Sequence, residues 1–163
     1  MKDKVVVVNT APFIHLARAG RLEVLLDVYK EVYSPTGVEE ELLFPAQARS
    51  FLETYVKVKA TTNKAAEEEL ARKQRKLGKG EIQSYILYRE IEADELLFAN
   101  TKAQRILSGL GAKVRDLIHL PGLDRDSKIF IHQQEIDKYH LDLWNANYQT
   151  KELEGELRRR GLI

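Results

Sequence analysis

The chain has 163 residues, 44% of them hydrophobic, which is enough for one well-filled core and too little for two comfortable domains. Its 26 basic and 25 acidic residues leave a formal net charge of +1, so no global field marks a nucleic-acid or membrane partner, and any such partner must be read locally. Cysteine is absent, which excludes disulfides, thiolate metal sites and thiol nucleophiles, argues against zinc and suits a reducing interior.

MKDK leads into Val5–Val8, too short an apolar stretch for a signal peptide or a membrane span, so a soluble cytoplasmic protein with no membrane partner is expected. The unbroken β-branched run is the pattern of a strand covered on both faces, in the middle of a parallel sheet. After Asn9-Thr10, Pro12 sits where a first helical turn accepts it, and Phe13, Ile14, Leu16 and Ala17 follow at helical spacing up to Gly20. Leu22, Leu25, Leu26 and Tyr29 recur at intervals of three and four, ahead of a short strand Glu31-Val32-Tyr33 closed by Ser34-Pro35. Thr36 is a candidate cap for a helix through Val38, Leu42 and Leu43.

Pro45 breaks that helix, and Tyr55 to Lys59 alternates like an exposed or edge strand. Ala65 to Leu77 has few apolar anchors and predicts a solvated helix ending at Gly78; Glu81 opens a partly buried helix carrying Ile82, Tyr85, Ile86, Tyr88 and Arg89. Glu95 to Ala99 is the second central strand. A helix over Thr101–Leu110 follows, stopped by Gly109 and Gly111, and Ala112-Lys113-Val114 returns as a strand. Strands alternating with helices predict an α/β fold with a parallel sheet, in which Val5–Val8 and Leu96–Ala99 are neighbours. Beyond Leu123 the texture becomes polar and helix-prone, anchored by Tyr139, Leu141, Leu143, Trp144 and Tyr148. The expected organisation is a single domain over 1–163, an α/β core at 1–123 with a helical C-terminal extension at 124–163 packed on it.

In such a sheet ligands bind at the carboxyl ends of the strands, near the point where strand order reverses. Asn9 and Asn100 both occupy that edge, and Glu41 and Glu81 can reach it, so four oxygen-bearing side chains are expected in one crevice. Each has a simpler reading. Both Asn-Thr pairs precede helices and suit N-caps; Glu41 lies in a run of three glutamates; Glu81 sits at a helix N-terminus, favourable to a negative charge. The basic residues Lys73, Arg75, Lys76 and Lys79 precede Glu81 or flank it, and Lys102, Arg105, Arg18, Arg21 and Arg115 are candidates for the same rim, a charge distribution suited to a phosphate backbone. His15, His119, His132 and His140 are scattered, with no pair four residues apart to suggest metal ligation. No P-loop or dinucleotide fingerprint is present, and no repeat supports a solenoid.

VVVVNTAPFIHLARAGRLEVLLDVYKEVYSPTGVEEEL resembles the opening of a PIN domain, in the prokaryotic and archaeal branch that continues with a GE-containing helix. LGKGEIQSYILYREIEADELLFANTKAQRILSGLGAKV is similar to that branch's second half, and YQTKELEGELRRRGL to its terminal helix. The resemblance implies a Rossmann-like three-layer sandwich. It also implies an RNA-cutting nuclease that uses three or four carboxylates to hold Mg²⁺ or Mn²⁺ and activate water. Position by position, the family's acids fall on Asn9, Glu41, Glu81 and Asn100, so two of four are amides. Glu41 and Glu81 remain as metal ligands, and a weak ion site is expected, since each lost carboxylate removes a few kcal/mol of attraction per unit charge even at an effective dielectric near 20. Two readings follow: an RNA-binding protein with weak or absent nuclease activity, and an active Mg²⁺- or Mn²⁺-dependent endoribonuclease in which a further acid such as Asp94 or Asp116, or the substrate's own phosphate, completes the ion's shell. The resemblance also permits a toxin with an antitoxin partner and a homodimer, for which Tyr139, Trp144 and Tyr148 offer aromatic area.

Overall fold

The computed structural model describes residues 2–121, 123, 133–147, 149, 151–159 and 161–163. Of the residues singled out above, His132 and Tyr148 lie outside the described set, as do the side chains of Tyr139 and Leu143. The chain divides into two compact units, Met1–Ile129 and Phe130–Ile163.

The first unit runs β1 (Val5–Val8), α1 (Thr10–Arg18), α2 (Val24–Val28), β2 (Glu31–Pro35), α3 (Thr36–Glu41), α4 (Ala46–Tyr55), β3 (Lys57–Lys59), α5 (Lys64–Lys73), α6 (Lys79–Glu90), β4 (Glu95–Phe98), α7 (Thr101–Gly109) and β5 (Val114–Asp116), followed by a short 3-10 turn at Leu117–His119. The strands form one all-parallel sheet in the order β3-β2-β1-β4-β5. Val5–Val8 and the Leu96 strand are neighbours, with Val7 opposite Leu96, as two fully apolar runs require. In the second unit, α8 (Gln133–Asn145) and α9 (Lys151–Arg159) pack on each other.

Alternation along each strand sends side chains to both faces, and both are covered. Val7, Leu96 and Phe98 join Ile82, Tyr85 and Ile86 of α6 with Ala103 and Leu107 of α7 in one continuous cluster. Val6, Val8 and Leu97 point to the other face and are fully buried too; Phe13 of α1 meets Phe51 of α4 at 6.4 Å between ring centroids. The result is the three-layer arrangement of a helix-flanked parallel sheet.

Three sequence expectations shift. The solvated helix stops at Lys73, because Leu70 is its sole buried residue and the chain turns at Gln74–Leu77 to bury Leu77. The last strand begins at Val114, since Leu96 N–H pairs with the Lys113 carbonyl and sets the register there. Thr36 lies inside α3; the N-cap position is Pro35, which offers no capping side chain.

Candidate functional site at the carboxyl edge of the sheet

Strand order reverses between β1 and β4: the chain moves from β1 outward through β2 and β3, then returns to the far side of β1. The crevice of an open parallel sheet belongs at that reversal. Asn9 follows β1 there and Asn100 follows β4, each one residue before a helix.

The two asparagines do different work. Asn100 is a true cap of α7: its Oδ1 accepts from Lys102 N–H at 3.0 Å, and its Nδ2 donates to Glu81 Oε2 at 3.4 Å. Asn9 holds the equivalent position at α1 and makes no cap bond with its side chain. Its backbone N–H continues the sheet, donating to the Leu97 carbonyl at 3.1 Å. Its side-chain Oδ1 is buried and has no hydrogen-bond partner among the described residues. Such an acceptor costs about 1–3 kcal/mol when left unmatched, so a donor or a cation beside it would be favoured.

Glu41 ends α3 and is seated from two sides. Thr10 Oγ1 donates to its Oε2 at 2.8 Å, and the Gly80 backbone N–H also donates to the carboxylate. Burial holds the Glu41 carboxyl above the ordinary range, outweighing those two hydrogen bonds and the nearby charge of Lys79, with Glu40 adding to the rise. Gly80 makes this seat possible: a Cβ there would stand 3.0 Å from both Glu41 oxygens. Glu81 follows in the first turn of α6. Its Oε1 accepts from Gly78 N–H at 2.8 Å, so one oxygen closes the helix start while the other faces Asn100. Thr10, Glu41, Gly80, Glu81 and Asn100 thus form an unbroken line of contacts across the ends of β1 and β4, with Asn9 beside Thr10.

The two alternative acids separate. Asp116 ends β5 on this same edge, opposite Phe98, and accepts from Gln104 Nε2 at 2.6 Å. Asp94 precedes β4 and accepts from Val5 N–H at 2.7 Å, which puts it at the amino edge, where it cannot join the crevice. Arg115 likewise turns away from the rim. Its guanidinium binds the buried Glu95 through Nε at 2.8 Å and Nη2 at 3.2 Å, and Glu95 also accepts from Tyr29. Of the other basic candidates, Lys73 pairs with Glu69 at 2.8 Å and Lys79 with Glu40 at 3.0 Å, both at the surface, and Arg18 and Arg21 lie at the end of α1, Arg21 beside Glu23. Arg75, Lys76, Lys102 and Arg105 are exposed.

Sequence reasoning did not single out Thr10, which donates to Glu41, or Gln83, which accepts the Gly37 N–H of α3 at 2.8 Å. Thr10 was legible only as half of an Asn-Thr pair. Gln83 was legible only as a polar residue on the buried face of α6 beside Ile82 and Ile86. His15 is buried on α1, and desolvation followed by the charge of Arg18 pushes it down to about 4, so it is neutral near pH 7.

Among the described residues no three His, Cys, Asp or Glu side chains cluster as a ready metal site. Two carboxylates and an unmatched amide oxygen nevertheless fit one hard divalent cation, because Mg²⁺ and Mn²⁺ take oxygen donors and retain waters around one or two carboxylates. Asn100 fits less well, its oxygen being held by the α7 cap and its nitrogen being a donor.

A parallel α/β sheet with acidic side chains at its switch point offers oxygen donors where such sheets bind their ligands, an arrangement suited to a cation. The comparison with known families narrows this: a family model described as a PIN domain matches residues 5–123. The chain belongs to the PIN-domain family, a nuclease-like fold associated with nucleic-acid binding and divalent metals. No curated protein matches the chain. Among the described residues no helix is long and apolar enough to cross a membrane.

Proposed function

We propose that this PIN domain binds RNA at the crevice between β1 and β4, with the basic residues Arg75, Lys76, Lys79, Lys102 and Arg105 meeting the phosphate backbone. In this reading Glu41, Glu81 and the Oδ1 of Asn9 hold Mg²⁺ or Mn²⁺ weakly, and RNA cleavage by the natural chain is slow or absent. The observation that carries it is the Asn100 contact: where a carboxylate would add charge for a cation, an amide donates a hydrogen bond to Glu81 at 3.4 Å and partly satisfies it. A neutral amide also accepts no proton near pH 7, which leaves Glu41 and Glu81 as the available bases. A divalent ion, when bound, supplies charge stabilisation for a phosphodiester and acidifies a bound water.

The test measures binding of an unstructured RNA by fluorescence anisotropy in EDTA and in Mn²⁺, beside cleavage on gels. The expected result is salt-sensitive binding without metal, weakened by charge reversal at Arg75 and Lys76, and little cleavage until Asn9→Asp adds a carboxylate. Strong Mn²⁺-dependent cleavage by the natural chain, lost on Glu41→Gln or Glu81→Gln, would establish an active ribonuclease instead. Absence of RNA binding in both conditions would end the RNA reading.

A further inference from the structure

The two carboxylate-bearing helices, α3 and α6, touch through glycines. A Cβ on Gly37 would lie 2.6 Å from Gln83 Oε1 and 3.6 Å from Gly80 Cα, and one on Gly80 would meet the Glu41 carboxylate. Gly37 and Glu41 are four residues apart, on one face of α3; Gly80 and Gln83 are three apart, on one face of α6. The two faces meet at both ends. At one end Glu41 rests on Gly80. At the other Gln83 Oε1 accepts the Gly37 N–H at 2.8 Å, and Gln83 is only 6% exposed. Helix α3 has six residues and no cap of its own from Pro35. So short a helix leaves its first N–H groups unmatched unless another element supplies an acceptor, and here the acceptor comes from α6. Ser84 Oγ donates to the Gly80 carbonyl at 2.7 Å within α6, so the buried hydroxyl beside Gln83 is satisfied inside its own helix.

We infer that Gln83 is a positioning residue for the cation site: by capping α3 from α6 it fixes the docking of α3 and holds Glu41 against Gly80, beside Glu81. The inference rests on the cation reading above for its functional consequence, and on the Gly37–Gln83 and Glu41–Gly80 contacts for its structural part.

The test compares the natural chain with Gln83→Met, which keeps the volume and removes the acceptor, and with Gln83→Glu, which keeps an oxygen facing Gly37. In metal-free protein, a Gly80 Hα to Glu41 Hγ NOE is expected in the natural chain and in Gln83→Glu and is expected to vanish in Gln83→Met while thermal unfolding stays cooperative. Mn²⁺ titration of the same samples, followed by EPR of the free ion, is expected to show about tenfold or more weaker binding in Gln83→Met. Gln83→Asn, too short to reach Gly37, takes its place if the Met variant does not fold. Failure of both to fold makes Gln83 a folding determinant and overturns the inference. So does an NOE that persists without the acceptor or is missing from the natural chain, and so does its loss with unchanged Mn²⁺ affinity. Loss of the NOE with no Mn²⁺ binding by the natural chain keeps Gln83 as the positioning residue for Glu41 and refutes the cation reading.

Discussion

Asn100→Asp isolates the electrostatics of the crevice. The cap on α7 survives, because Asp accepts the Lys102 N–H as well as Asn does. The lost group is the Nδ2 donor to Glu81, replaced by an oxygen that puts two like charges in place of a hydrogen bond of 3.4 Å. At an effective dielectric near 20 that repulsion is about 5 kcal/mol. Water at this partly exposed edge screens it to about 1 kcal/mol, a fall of roughly 2–4 °C in Tm for a chain of this size. A divalent ion between the two carboxylates reverses the sign, adding about 2.7 kcal/mol once it reaches a hundredfold excess over Kd. Thermal unfolding of the natural and variant chains in EDTA and in Mn²⁺ reads both effects: the variant is expected to be the less stable without metal and to gain more from it. Equal stability in EDTA, or an equal gain from Mn²⁺, would refute the placement of Asn100 against Glu81 as an electrostatic control.

Three further outcomes are expected. Gly80→Ala gains up to about 1 kcal/mol of helix propensity but pushes on both Glu41 oxygens, so near-neutral stability with Mn²⁺ affinity lowered about tenfold is the expected pair of results from denaturation and EPR. Glu95→Gln removes a buried carboxylate. Burial by itself would raise the Glu95 carboxyl, yet the hydrogen bonds from Arg115 and Tyr29, with the charges of Arg115 and Lys4, hold it below the ordinary range. Its contribution is therefore full above the unfolded carboxylate range and lost as pH falls through the lower folded value. Urea titrations should show a deficit of about 2–3 kcal/mol at pH 7 that narrows as pH falls below the ordinary carboxylate range. His15 should titrate by NMR at about 4. Because the unfolded chain takes up that proton at higher pH, its contribution to stability is full above about pH 6.5 and falls away as pH drops from there toward 4; in His15→Gln this part of the pH dependence is expected to disappear.

The sequence by itself determined the sheet. Two apolar runs, Val5–Val8 and Leu96–Ala99, have no polar face to show to water, which makes them central, parallel neighbours, and the helix after each places Asn9 and Asn100 at one edge. Glu41 and Glu81 were legible as candidates through the family resemblance, since a lone glutamate on a helix says little. Only the tertiary structure decided what each group does there. Asn9 and Asn100 share the same local sequence, Asn-Thr before a helix, yet Asn100 caps its helix and also meets Glu81 of α6, while Asn9 makes no cap and its Oδ1 has no partner among the described residues. Arg115 left the rim for Glu95, twenty residues earlier in the chain, and Asp94 fell at the wrong end of its strand. Gln83 became the cap of a helix more than forty residues before it. Periodicity and turn chemistry act over a few residues and can be read from a string of letters; the partner of a hydrogen bond between distant elements is fixed by how closely their backbones approach, which in this protein depends on two glycines, Gly37 and Gly80.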